Sequence, residues 1–165
     1  MDLKDRLWHS SCGKYTVALD VKCLEKLADL ACRAWPCETG ATLVGSYSDD
    51  GFTARIDEAG PMPPDSMGKK MSFVRGVIGL RKFFNRIFSD SDGKRHYIGE
   101  WHSHPNGVAS PSCTDDITSY AICENEKTRC PEMILLLIAT DKKTVTGLGI
   151  FVYSRCRGRI ELHEE

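Results

Sequence analysis

No stretch of this 165-residue chain approaches the ~18 consecutive apolar residues of a membrane-spanning helix. The first residues, Met1-Asp2-Leu3-Lys4-Asp5-Arg6, hold no apolar h-region, so no secretory signal is read there and a cytoplasmic protein is expected. An excess of one charge is missing too. Lys and Arg number 22 against 23 Asp and Glu, a formal net charge of -1, which offers no electrostatic case for nucleic acid or an anionic membrane as partner. Internal repeats, low-complexity tracts and an interdomain linker are also lacking, and the length suits one domain, 1–165, with a single core. The hydrophobic fraction of 41% and charged fraction of 27% are those of a globular protein.

Cysteine, by contrast, is plentiful. Eight stand at 12, 23, 32, 37, 113, 123, 130 and 156. None forms a Cys-x-x-Cys pair, which argues against a zinc ribbon or a thioredoxin-like motif. In a reducing cytosol they are expected as free thiols.

Hydrophobic periodicity interleaves strands and helices. Tyr15–Leu19 reads as a strand, and Asp20 caps a helix whose Val21, Leu24, Leu27, Ala28 and Ala31 recur at helical steps to about Arg33. Glu38–Tyr47 reads as a strand whose glycines mark close approach by another backbone or a ligand. Ser48–Gly51 turns it into a return strand from Phe52 to Ile56. Ala59–Gly68, with three prolines and two glycines, reads as an irregular surface loop. A short strand near Met71–Phe73 precedes a helix over Gly76–Phe88. His96–His102 is then a strand ended by Pro105 and Gly107, and a third helix runs from a Thr114 cap to about Glu126. Met133–Ala139, continuously apolar, is a strand buried on both faces. Thr144–Tyr153 pairs back on it, and Arg159–His163 is a final edge strand. The fold class is α/β (α+β), a mixed sheet flanked by helices.

The chemistry concentrates in Gly99-Glu100-Trp101-His102-Ser103-His104-Pro105 and the loop after it. His102 and His104 share one face of an extended segment, with Trp101 and Ser103 on the other. Both imidazoles therefore face one cavity, as nitrogen ligands of a tetrahedral zinc must. Asp115, at the start of the third helix, is the third ligand expected. Two histidines and one carboxylate leave a fourth position for water, the pattern of catalytic zinc, which lowers that water's pKa to ~7. A proton shuttle is also needed. Glu100 shares strand parity with His102, and Glu38 opens a glycine-containing strand suited to lie beside the motif; spacing alone does not choose between them. Ser112 either donates to the oxyanion of a tetrahedral intermediate or helps cap the third helix.

His-Ser-His-Pro, six residues, Ser, two residues, Asp resembles the JAMM (JAB/MPN+) signature, through His102, His104, Pro105, Ser112 and Asp115. An upstream Glu-x-Gly also matches, as Glu38-Thr39-Gly40, with Ala41 where the family usually has a second glycine. The resemblance covers about residues 15–153. It implies an MPN/JAB fold with cytidine-deaminase-type layering, and zinc on His102, His104 and Asp115. It also implies Glu38 as general acid/base and Ser112 as oxyanion donor, leaving Glu100 a strand neighbour. Family members cleave isopeptide or peptide bonds at the C-terminal tail of ubiquitin or a ubiquitin-like protein. The compact length is most similar to prokaryotic stand-alone members, some of which serve antiphage (CBASS) operons. That subtype removes the conjugated C-terminus of a cyclic nucleotide synthase from its targets. A flexible tail is expected to add as a strand beside an exposed sheet edge.

Three other readings stand beside this one. A JAMM peptidase that processes a sulfur-carrier protein has the same motif. A non-catalytic MPN scaffold is disfavoured by the intact ligand set. A RadC-like protein is disfavoured by the near-neutral charge.

Overall fold

The computed structural model describes residues 5–165. In chain order its elements are β1 (Arg6–Ser10), β2 (Thr16–Leu19), α1 (Val21–Ala34), β3 (Gly40–Tyr47), β4 (Thr53–Ala59), β5 (Met67–Lys69) and β6 (Ser72–Val74). There follow α2 (Leu80–Asp90), β7 (His96–Pro105), α3 (Cys113–Glu124), β8 (Glu132–Asp141), β9 (Thr144–Ser154) and β10 (Gly158–Glu164). The expected mixed sheet flanked by helices is present, and it closes on itself. Its strands run β1-β10-β9-β8-β7-β3-β4-β2 round a barrel, with β5 and β6 a separate two-stranded sheet. The β2–β4 and β7–β8 neighbours are parallel; the other pairs in the ring are antiparallel.

The unbroken apolar run of β8 follows from two packing layers. Ile134, Leu136 and Ile138 join one cluster with Ile98, Trp101 and α1's Leu27. Met133, Leu135 and Leu137 alternate with them and pack against Cys123, Phe151 and Tyr153 on the α3 side. In α1 the Asp20 carboxylate accepts from the Cys23 N–H at 2.9 Å, and Cys23, Leu27 and Ala31 bury one stripe. Leu27 is fully buried, so Leu27→Ala removes about 2–5 kcal/mol.

Several sequence expectations are corrected. β1 was not anticipated: Arg6-Leu7-Trp8-His9-Ser10 lacks a clear apolar alternation, although Trp8 and Ser10 turn inward. Arg159–His163 is no edge strand, because β10 pairs with β9 on one side and β1 on the other. The Ala59–Gly68 stretch is not wholly irregular, as Ala59 ends β4 and Met67–Gly68 enter the β5–β6 hairpin. α2 starts at Leu80 rather than Gly76. Asp65 accepts from the Val77 and Ile78 N–H groups at 3.0 and 3.1 Å, and Gly79 takes φ +86°, which holds 76–79 as a loop. Thr114 does not cap α3; Ser112 does, the second of the two readings given for it, and the helix ends at Glu124. Among the described residues all eight cysteines are free, and burial pushes the Cys23 and Cys130 thiols up to about 12. No helix of the described residues is long and apolar enough to cross a membrane.

Candidate metal centre

β7 delivers the two histidines. Side chains two apart on a strand share a face, and His102 Nε2 stands 3.1 Å from His104 Nε2. Trp101 goes the other way, into the apolar core. Ser103, between the histidines, is fully buried; its Oγ accepts from the Thr39 N–H at 3.0 Å, and its own N–H donates to the Thr39 carbonyl at 2.8 Å. It thereby pins the chain next to Glu38 against β7. Sequence reasoning missed this role, for which strand parity was the only signal.

α3 delivers Asp115 through a capping box. The Ser112 Oγ accepts from the Asp115 N–H at 3.2 Å, while Asp115 Oδ2 accepts from the Ser112 N–H and hydroxyl, both at 2.7 Å. The other oxygen, Oδ1, lies 3.0 Å from His102 Nε2, and Oδ2 lies 3.5 Å from His104 Nε2. Burial alone would raise the Asp115 carboxyl, but hydrogen bonds from His102, His104 and Ser112 outweigh it and hold it well below the ordinary range. The hydrogen bond to Asp115 raises His104, against the effect of burial.

The donor set fits a divalent cation. His104 Nδ1 is 2.9 Å from the Val108 carbonyl, which only accepts, so Nδ1 carries the proton and neutral His104 presents a lone pair at Nε2. With Zn–N near 2.0–2.1 Å, neighbouring ligand atoms of a tetrahedral zinc stand about 3.3–3.4 Å apart. The two Nε2 atoms stand 3.1 Å apart, and each lies 3.0 to 3.5 Å from an Asp115 oxygen, Oδ1 for His102 and Oδ2 for His104, so the donors sit close to that spacing. His102, His104 and Asp115 each offer one ligand atom, all within 4.8 Å of one another.

Glu38 precedes β3, whose Gly40 pairs with His102. A Cβ on Gly40 would lie 2.3 Å from the Trp101 carbonyl oxygen, so glycine is what lets this strand reach β7 so closely. The Glu38 N–H donates to the Lys69 carbonyl at 2.8 Å, tying it to the β5–β6 hairpin. Partial burial raises its carboxyl, opposed by the nearby His102 and His104. Glu100 is on the same side of β7 as His102 but engaged elsewhere. Its oxygens accept from Arg75 Nε and the Tyr97 hydroxyl, each at 2.8 Å. Burial pushes it up to about 7 despite those partners.

This barrel with helices on both faces, bearing a His-x-His strand end and a helix-borne Asp, defines a JAB-type domain. A family model described as prokaryotic homologs of the JAB domain matches residues 20–148, and the chain belongs to that family. It is 33% identical over 164 residues to a CD-NTase/cGAS isopeptidase of Enterobacter hormaechei subsp. hoffmannii, covering 99% of this chain and 89% of that one. It is 28% identical over 119 residues to a probable metalloprotease of Sinorhizobium fredii, covering 70% of each. A solution structure of a Desulfitobacterium hafniense protein shares the fold with a TM-score of 0.58 at 19% identity, over 90% of this chain and 89% of that one.

Proposed function

We propose that this protein is a zinc-dependent isopeptidase that releases the conjugated C-terminus of a CD-NTase, a cyclic nucleotide synthase, from its targets, in antiphage defence. The observation that carries the reading is the convergence of His102, His104 and Asp115, with Glu38 beside them, in a chain similar almost end to end to a protein named for that activity. His102, His104 and Asp115 would hold the zinc, which would supply an acidified water at neutral pH and polarise the scissile carbonyl.

The remaining chemistry belongs to the chain. Glu38's carboxylate takes the proton of the attacking water and passes it to the leaving nitrogen, and its partial desolvation keeps it basic enough for that task. Ser112 stabilises the developing oxyanion. Its hydroxyl donates to Asp115 at 2.7 Å in the structure, and the Ser112 N–H makes the same contact, so the hydroxyl is able to turn to substrate while the N–H keeps Asp115 in place. Among the described residues the barrel closes its own edges, which leaves the β5–β6 hairpin as the strand pair beside Glu38 along which a tail can add.

The test uses a CD-NTase whose C-terminus is fused to a fluorescent protein. The purified protein is expected to hold about one zinc per chain and to sever the fusion at the CD-NTase terminus, and chelation is expected to stop cleavage. Glu38→Gln should retain zinc and lose on the order of 10²–10⁴ in rate. Undiminished cleavage by Glu38→Gln, or after complete metal removal, would refute the reading.

A further inference from the structure

The loop over residues 106–112 joins the strand that bears the histidines to the helix that bears Asp115. One of its carbonyls sets a metal ligand. Val108 accepts from His104 Nδ1 at 2.9 Å, which leaves the Nε2 lone pair free for a cation. Yet Val108 is 71% exposed, and among the described residues 108–111 make no backbone–backbone hydrogen bond. The loop is held instead by two anchors distant in sequence. At its start, Asn106 takes φ +55°, a left-handed conformation that asparagine tolerates, and its N–H donates to the Thr140 carbonyl at 2.6 Å. The Asn106 Oδ1 accepts from the indole Nε1 of Trp35, the residue that ends α1, at 3.3 Å. Just after Val108, Ala109 lies against β9. A Cβ on Gly149 would stand 2.1 Å from the Ala109 carbonyl oxygen, whereas one on Gly147 would meet the Ala109 Cβ at an ordinary 3.5 Å.

We infer that Trp35 and Gly149 are positioning residues for the metal centre: from α1 and from β9 they fix the 106–109 turn, so that the Val108 carbonyl holds the His104 Nδ1–H and keeps Nε2 as the ligand atom. The inference rests on the metal-centre reading above. Neither residue belongs to the ligand set, so each acts through the loop. If the Val108 carbonyl drifts, Nδ1 loses its acceptor. The imidazole is then free to rotate, and its proton is free to reside on Nε2, which removes the donor. Asn106 lies midway between His104 and Val108 in the chain, so the Trp35 bond acts on the turn at its centre. Gly149 acts from the far side of Val108. Any side chain there presses on a backbone oxygen of the loop, which has no flexible end to yield. Trp35 also stands three residues before Glu38, so one contact ties the segment of the proposed general base to the loop that steadies His104.

The experiment measures zinc affinity by competition with a chromophoric chelator, beside thermal unfolding of the metal-free protein. Trp35→Phe keeps an aromatic ring and loses the indole donor. Asn106→Gly keeps the left-handed backbone and loses the acceptor. Each should weaken zinc binding on the order of 10-fold, as loss of an outer partner of a metal-bound histidine does, and the double variant should lose no more than either alone. The metal-free melting temperature of Trp35→Phe should stay close to wild type, since the lost bond is solvent-exposed. Gly149→Ala should weaken zinc at least as much, and Gly147→Ala should leave it unchanged. A second arm needs no metal. At alkaline pH the ring-nitrogen chemical shifts of neutral His104 should show Nδ1–H in the wild type and a larger Nε2–H share in Trp35→Phe and Gly149→Ala. Gly149→Ala also crowds Phe151, so if it does not fold, Trp35→Phe and Asn106→Gly decide. Wild-type zinc affinity in those two, additive losses in the double variant, equal loss in Gly147→Ala, or an unchanged tautomer would overturn the inference. If the wild type binds no zinc, the metal-centre reading fails, and the tautomer arm still decides for or against the loop.

Discussion

Asp115 and Asp116 are neighbours with separate partners. Asp116 accepts from the hydroxyl of the buried Tyr153 at 2.6 Å and from Arg159 at 2.8 Å, which fastens the first turn of α3 to β9 and β10. Asp115→Ala is expected to abolish zinc binding. Asp116→Ala should keep zinc and lose about 1–3 kcal/mol of stability, because the Tyr153 hydroxyl is left unpaired; metal analysis and thermal unfolding separate the two. Glu100 makes a pH prediction. Its folded pKa of about 7 lies above the ~4.3 of an unfolded glutamate, so the folded state holds the proton more tightly. Its contribution to stability is present below ~4.3 and is lost as pH rises through about 7. The melting-temperature difference, Glu100→Gln minus wild type, should therefore be more positive at pH 8 than at pH 5, and an unchanged difference would contradict this. His102, His104 and Asp115 were legible because their spacing along one strand and one helix start carries the chemistry. The partners of Ser103, Glu100 and Asp116 were not, since each is set by elements distant in sequence.

α3 was visible in the sequence, with Thr114 read as its cap and Ser112 as a candidate helper, and the structure gives the cap to Ser112. The Ser-x-x-Asp pattern suits both a capping box and a ligand bearer, and the structure uses Ser112 and Asp115 for the first of these. Of the β5–β6 hairpin, β6 was read as the short strand near Met71–Phe73, but β5 was obscured because it closes a run rich in proline and glycine and is too short for alternation to register. Yet it lies directly against Glu38. A Cβ added at Gly68 would come within 2.1 Å of the Glu38 carbonyl oxygen, a backbone atom without freedom to yield. Gly68→Ala should displace Glu38 and lower kcat/KM at least about 10-fold with zinc content unchanged, since misplacement of about 1 Å is enough to cost such factors. Unaltered turnover in that variant would show that the hairpin does not fix Glu38.

At the level of the whole chain, the apolar run of β8, the helices and the strand bearing the histidines could be read from periodicity. Closure of the ring could not. It depends on β1, whose five residues mix charged, aromatic and polar side chains, and on its pairing with a strand at the other end of the sequence. Trp8 sits opposite Glu164, and Arg6 forms an ion pair with the same glutamate. No local pattern encodes a partner so far away. The same seam has a consequence for synthesis. β1 is made long before β10 and cannot complete its pairing until Gly158–Glu164 has left the ribosome, and until then β1 and β9 each present an open edge. A nascent chain in that state is poised to trade strands with a second copy, so β10 acts as the clasp that keeps each molecule to itself.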